Sequence, residues 1–348
     1  ASDIGYSRVK IATSPLDGNP PELHNFISAA AQYNAAEFEL AGLTARRIFH
    51  VHPKGALNPN GYLVGDDVRS FLRPQDYSRA IDQRFLDSDT YRALFYGSLA
   101  HMVDRGAPSV MDLLVLGVPV RAWQDQQRKR LAVDYARGVH RLPNHRSVEV
   151  RDVIVLPQPY GAYADVSDEA LSRKSVLIID GGEFTTDWLF IEPGGRIHPG
   201  RSGSVSDRGR YNYLQAILTS LSGEAGKELP ERLLYDLDMC LRASEGQPDE
   251  DPILKVGGRQ YNLREHLPRG QEKINDVIRK IVNAVGGVVD VETVVLAGGN
   301  PRVYERAIQQ GGLFDDLTDI VIPPESIYSN VRGFHTFGEQ TLASKLAA

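Results

Sequence analysis

The chain has 348 residues, a length that suits about two domains. Hydrophobic residues make up 42%, too many for a disordered chain, and the formal net charge of -6 argues against a broad surface that grips nucleic-acid phosphates directly. The one cysteine, Cys240, excludes a disulfide framework within the chain and points to a reducing, cytoplasmic setting.

Cys240 sits on an apolar helix face and reads as a small core residue. No stretch approaches the roughly 20 apolar residues that span a bilayer. The longest apolar run, Met111 to Val120, already carries Asp112, Gly117 and Pro119. The N-terminus has neither a basic nor an apolar leader region, so no signal peptide and no membrane contact are expected.

In chain order, residues 3–13 alternate and are rich in β-formers, which predicts a strand or hairpin ending in the turn Ser14-Pro15-Leu16-Asp17-Gly18. Residues 46–52 predict a strand, and Tyr62-Leu63-Val64 another after the turn Asn58-Pro59-Asn60-Gly61. Apolar residues at helical spacing (Tyr91, Leu94, Phe95, Leu99, Met102, Val103) predict a helix over 90–105. Residues 112–118 read as a buried strand, 121–137 as a polar helix and Val148 to Leu156 as one strand. Val176 to Ile179 is an apolar strand with Trp188 to Ile191 as its hairpin partner. Helices follow at 211–221, 229–243 and 271–285, with a polar loop at 244–252. Thr293 to Ala297 is a strand, and the last helix covers 329–346. Strands and helices alternate, which gives the α/β class.

One internal repeat stands out. Asp3-Ile4-Gly5-Tyr6-Ser7-Arg8-Val9-Lys10 has the form D-x-G-x4-K, and Asp180-Gly181-Gly182-Glu183-Phe184-Thr185-Thr186-Asp187 has the form D-x-G-x4-D, about half a chain later. A D-x-G hairpin ends a strand on a carboxylate, turns tightly at glycine, and gathers backbone N–H groups into an anion nest. Either copy alone is more often an ordinary β-turn. Two copies with one spacing favour a two-sided phosphate clamp. Asp3 and Asp180 would then face a hydrated Mg²⁺, held through water because that ion keeps most of its own waters. Lys10 would reach the phosphates as a point charge.

These residues resemble the first and second phosphate motifs of the actin, heat-shock chaperone and sugar-kinase ATPase superfamily. Within it the chain resembles bacterial and archaeal actins of the ParM (StbA) plasmid-segregation type. The resemblance runs through Asp3, Gly5, Tyr6, Ser7 and Lys10 as first phosphate loop, Tyr62 to Asp67, Leu113 to Pro119, and Leu156 to Ala164 as first connecting helix. It continues through Asp180, Gly181, Gly182, Glu183 and Thr185 as second phosphate loop, Gly298, Gly299 and Asn300 as adenosine motif, and Asn330 to Phe334 in the C-terminal helix. The ordered set carries the resemblance rather than any one motif.

The resemblance implies an actin-like fold, two RNase H-like α/β domains around a nucleotide cleft, each with a smaller inserted subdomain. Domain I would comprise 1–164, with an insertion within about 20–110, and be completed by the helix at 326–348. Domain II would comprise 165–325, with an insertion near 223–270. The implied ligands are ATP or GTP with Mg²⁺. Gln158 would orient the attacking water, since phosphoryl transfer depends mostly on positioning and charge stabilisation. Asp180 would accept a proton or hold that water through the metal shell. The implied function is a filament that polymerises with nucleotide, depolymerises after hydrolysis, and moves DNA through a DNA-bound adaptor. The alternatives are a non-polymerising ATPase of the superfamily, chaperone-like or a reactivating factor, and a nucleotide-binding scaffold without turnover.

The sequence departs from the family in three places. Asn300 stands where a third glycine is common, a mild change because Asn tolerates positive φ. Little apolar strand precedes Asp3, because the strand is short or residues are missing. No pattern in Gly200 to Tyr213 identifies ribose contacts. No Walker A motif, Rossmann fingerprint or G-x-S-x-G is present. His50-Val51-His52 lacks a nearby third ligand and reads as a strand-edge pair. The basic run Arg121 to Arg137 reads as a solvated helix face, with a filament contact the less favoured reading.

Overall fold

The computed structural model describes residues 1–14, 20–34, 47–72, 85–206, 209–244, 251–314 and 318–347. The turn expected at 15–18 and most of the loop at 244–252 lie outside the described residues, as do parts of 20–110 and 200–213. The chain divides into two compact units. One comprises Ala1–Lys174, Pro193–Gly195 and Ile322–Ala348, and the other Ser175–Glu192 and Arg196–Val321.

In the first unit the chain runs β1 (Ser2–Ile4), β2 (Arg8–Thr13), β3 (Glu22–Ile27), β4 (Ala31–Gln32), β5 (Ile48–Val51) and β6 (Tyr62–Gly65). Then follow α1 (Asp89–Asp104), β7 (Val110–Met111), β8 (Leu114–Val118), α2 (Val120–Gln124) and α3 (Gln126–Ala136). The first segment closes with β9 (Gly138–Arg141), β10 (Ser147–Val150), β11 (Val153–Pro157) and α4 (Gln158–Val166).

The second unit holds β12 (Val176–Gly181), β13 (Thr185–Glu192), β14 (Arg196–Ile197), β15 (Gly203–Ser206), α5 (Arg210–Ala225) and α6 (Leu233–Ser244). It continues with β16 (Ile253–Val256), β17 (Arg259–Asn262), α7 (Leu267–Val285), β18 (Thr293–Gly298), α8 (Pro301–Gly311) and β19 (Asp319–Val321). The last helix, α9 (Ser329–Ala347), belongs to the first unit.

The two central sheets repeat one pattern. In the first unit the order is β11-β8-β1-β2-β3, parallel from β11 to β1 and antiparallel from β1 to β3. In the second it is β19-β18-β12-β13-β14, parallel from β19 to β12 and antiparallel from β12 to β14, with β15 added on β13. The central parallel strands are apolar because both faces are covered: every residue of Leu114–Val118 and of Thr293–Gly298 is buried. Helix α7 packs an amphipathic face, burying Ile274, Val277, Ile278, Ile281 and Val285 at helical spacing.

Helices α4 and α9 touch backbone to backbone. A Cβ on Gly161 would lie 2.1 Å from the Asn330 carbonyl oxygen, and one on Gly333 would lie 1.9 Å from the Gly161 oxygen. Arg332 on α9 clamps Asp165 on α4 with paired bonds of 2.6 and 2.5 Å. The crossing is therefore fixed by shape and by charge.

Several local expectations are corrected. Val148 to Leu156 is not one strand. It is β10 in a three-stranded sheet of order β7-β10-β9, then β11 in the central sheet. The polar pair Arg151-Asp152 interrupts the apolar pattern and lets the chain change sheets. The helix at 121–137 breaks at Asp125, whose carboxylate accepts from the N–H groups of Gln127 and Arg128 and so caps α3. The helix expected at 229 starts at Leu233, beyond Pro230. Cys240 is half-buried, not core, because it sits beside the buried stripe of Leu237 and Leu241. Among the described residues no helix is long and apolar enough to cross a membrane.

Candidate functional site

In the first unit, β1 and β2 form a hairpin in which Asp3 stands opposite Lys10. The turn between them holds Gly5, Tyr6 and Ser7 and is closed by Gly5 N–H to the Arg8 carbonyl at 3.2 Å. The Ser7 carbonyl accepts from Ser28 N–H at 2.9 Å, and Tyr6 stacks on Phe85 with ring centroids 4.7 Å apart. Asp3 is fully buried, and both of its oxygens are engaged. Oδ2 accepts from Lys10 Nζ at 3.0 Å and Oδ1 from Gln158 Nε2 at 2.7 Å.

Gln158 is the first residue of α4, directly after β11, and is itself 8% exposed. Its Nε2 also reaches the Ile4 carbonyl at 3.4 Å. With the amide nitrogen turned to two acceptors, Oε1 is the end that can accept from a water. Lys10 has three donors, so it can hold Asp3 and still reach an anion.

In the second unit, β12 and β13 form the matching hairpin, with Asp180 opposite Asp187. The turn is closed by Gly182 N–H to the Thr185 carbonyl at 2.9 Å. Thr185 Oγ1 donates to Asp187 Oδ2 at 3.1 Å. The carbonyls of Gly182 and Glu183 accept from the first N–H groups of α5, those of Arg210 and Tyr211, at 3.0 and 2.7 Å. Gly181 lies on the ring of Tyr304, whose hydroxyl pairs with Thr186 Oγ1 at 2.7 Å. Burial pushes the Tyr304 phenol well above its ordinary value, so it stays neutral.

The expected adenosine motif lies beside this hairpin. Gly298 has φ +86°, and a Cβ there would lie 2.4 Å from Asp180 Oδ1, so only glycine fits. Gly299 N–H donates to the Gly181 carbonyl at 3.2 Å. Asn300 precedes α8 and is 2% exposed, with neither its Nδ2 nor its Oδ1 hydrogen-bonded among the described residues.

The candidate residues thus form two clusters, one in each unit: Asp3, Gly5, Tyr6, Ser7, Lys10 and Gln158, and Asp180 to Thr185 with Gly298 to Asn300. The two aspartates occupy equivalent places. Each lies on the first hairpin strand, opposite the residue seven positions later, and beside a small residue on the parallel neighbour strand, Gly117 for Asp3 and Ala297 for Asp180. The clusters differ in charge. Lysine faces Asp3, whereas a second carboxylate, Asp187, faces Asp180. A hydrated divalent cation needs few direct carboxylates. Among the described residues no group of three or more His, Cys, Asp and Glu forms a metal-binding cluster. The rings of His50 and His52 lie 4.5 Å apart, with His50 Nε2 bonded to the Asn60 carbonyl.

Residues 1–161 match the family model described as the actin like proteins N terminal domain. This segment is similar to that domain. No curated protein sequence matches the chain. The chain shares its fold with several solved structures along nearly its whole length. The archaeal actin homologue Ta0583 covers 98% of this chain with 100% of its own, at 17% identity and TM-score 0.68. ParM from a 15-stranded Clostridium botulinum filament covers 98% with 98%, at 16% identity and TM-score 0.63. Bacillus thuringiensis ParM with AMPPNP covers 98% with 98%, at 13% identity and TM-score 0.66. At these identities the likeness establishes an actin-like fold for the whole chain. With the N-terminal family match it supports the ParM-type resemblance that the ordered motifs imply.

Two structural features beside the candidate site escaped the sequence reading. Gly117 beside Asp3 lies in a segment already noted for its resemblance, but only sheet pairing reveals the neighbour. The arginines around Asp238, described below, left no local motif.

Proposed function

We propose that the actin-like chain binds ATP or GTP with Mg²⁺ through the two aspartate hairpins and hydrolyses it, and that nucleotide state controls its assembly into filaments. The duplicated hairpin carries this reading: one aspartate in each unit, at the same place in equivalent sheets. Lys10 and the turn N–H groups take phosphate oxygens. Asp3 and Asp180 would hold magnesium, which would supply charge neutralisation at the phosphates. Gln158 Oε1 orients the attacking water, and Asp180 takes its proton. Gly298 and Gly299 admit the nucleoside, and the idle amide of Asn300 is available to it.

The Clostridium botulinum ParM structure is that of a filament, and the Bacillus thuringiensis ParM structure is with AMPPNP. Both features reach this chain through fold and motifs. With a net charge of -6, DNA contact in plasmid segregation falls to an adaptor at the filament end. The setting is a reducing cytoplasm.

Sedimentation with Mg²⁺ and ATP, ADP or no nucleotide, with phosphate release followed in the same tubes, tests the proposal. Pelleting with ATP accompanied by release is expected. Release without pelleting at any concentration would leave a soluble chaperone-like ATPase, and pelleting without release a scaffold. Gln158→Ala is expected to slow phosphate release about 10²-fold through loss of water positioning, while the nucleotide still binds. Wild-type release by this variant removes Gln158 from the mechanism.

A further inference from the structure

The second unit contains an ionic relay that begins at one candidate loop and ends at the other. Arg210 opens α5, and its backbone N–H is bonded to Gly182 of the second phosphate loop. Its side chain is 5% exposed, and its Nε donates to Asp238 Oδ1 on α6. Asp238 Oδ2 accepts from Arg242 Nε at 2.8 Å. Arg242 Nη1 then donates to the Gly299 carbonyl at 2.8 Å. Gly299 N–H returns to Gly181, which closes the circuit.

The parts carry different weight. Arg210 is a buried cation whose Nη1 and Nη2 have no hydrogen-bond partner among the described residues, and Asp238 is its ion-pair partner. The Asp238–Arg242 pair alone is a half-exposed i,i+4 contact of the kind that contributes little to stability. Arg242 is 38% exposed. Among the described residues its tie beyond Asp238 is to a loop carbonyl. Such a bond fixes where Gly299 sits relative to the phosphate loop rather than holding the fold together.

We infer that Asp238 is a positioning residue that, through Arg210 and Arg242, sets the spacing between the second phosphate loop and the Gly298-Gly299 loop, and so the affinity for a nucleotide spanning them. The inference rests on the nucleotide-binding reading proposed above. The arginines act here through the loops, and arginine is required at 242 because its planar fork joins a carboxylate and a carbonyl at once.

A double-mutant cycle on the full chain tests this, with Mg²⁺ and a fluorescent ATP analogue as the probe. Arg210→Gln and Arg242→Gln are each expected to weaken binding about tenfold, and the double variant to be no weaker than the worse single one within about twofold, because both cut one path. Arg242→Lys keeps the charge but loses the fork, and is expected to bind as weakly as Arg242→Gln. The nucleotide-free Arg242 variants should melt with the wild type. Losses that multiply in the double variant, or wild-type binding by either Arg242 variant, would overturn the inference. Should Arg210→Gln fail to fold, the two Arg242 variants decide it alone. A wild-type chain that binds no probe would overturn the nucleotide reading itself, and the relay's role with it.

Discussion

At saturating nucleotide, which offsets its weakened binding, Asp180→Ala lowers phosphate release by about 10²-fold or more. Asp180 is the penultimate residue of β12 and borders the space that Gly298 leaves open, so its carboxylate lies where the second hairpin meets the Gly298-Gly299 loop. Asp3, its counterpart, is tied down by Lys10 and Gln158. Asp180 is half-buried and faces another carboxylate, Asp187, which makes it the better candidate to take a proton or to hold a metal-bound water. Removing one of two opposed carboxylates also relieves like-charge repulsion, so the variant is expected to fold. The check is single-turnover phosphate release beside equilibrium binding of the same nucleotide. Release at the wild-type rate would exclude Asp180 from the chemistry.

Gly333→Ala destabilises the first unit by about 3 kcal/mol, at the upper end for an inserted methyl, because the atoms in its way are backbone. The new Cβ would meet the Gly161 carbonyl oxygen at 1.9 Å and the Asp165 nitrogen at 2.7 Å. Neither can move without parting α4 from α9, which pulls on the paired Arg332–Asp165 bonds and on the edge contact between Tyr160 and Phe337. The change reaches the site because α4 begins at Gln158, the residue that holds Asp3. Denaturant unfolding followed by far-ultraviolet circular dichroism measures the loss, and phosphate release should fall alongside it. A variant with the wild-type midpoint would show that the helices separate at little cost.

Local chemistry made the hairpins legible. The first D-x-G turn lies in an alternating stretch and the second follows an apolar one, and the repeat spacing of seven became the cross-strand pairs Asp3–Lys10 and Asp180–Asp187. The amphipathic period of α7 was equally readable. Sheet membership was not, because an apolar run such as Val148 to Leu156 looks the same whether it serves one sheet or two. The site was legible as motifs but not as contacts. Gln158 and Asp3 stand 155 positions apart, and only the pairing of β11, β8 and β1 brings them together. The relay from Arg210 to Gly299 was hidden for the same reason. Its i,i+4 pair Asp238–Arg242 resembles any surface helix pair until α6 is placed beside the loops.

The most direct test of a duplicated phosphate clamp is the stoichiometry of nucleotide binding, measured by calorimetric titration of the wild-type chain with a non-hydrolysable ATP analogue and Mg²⁺. One nucleotide per chain, with binding weakened by Asp3→Ala and Asp180→Ala alike, is the predicted result. No heat at millimolar analogue, or sensitivity to only one of the two aspartates, would contradict the account.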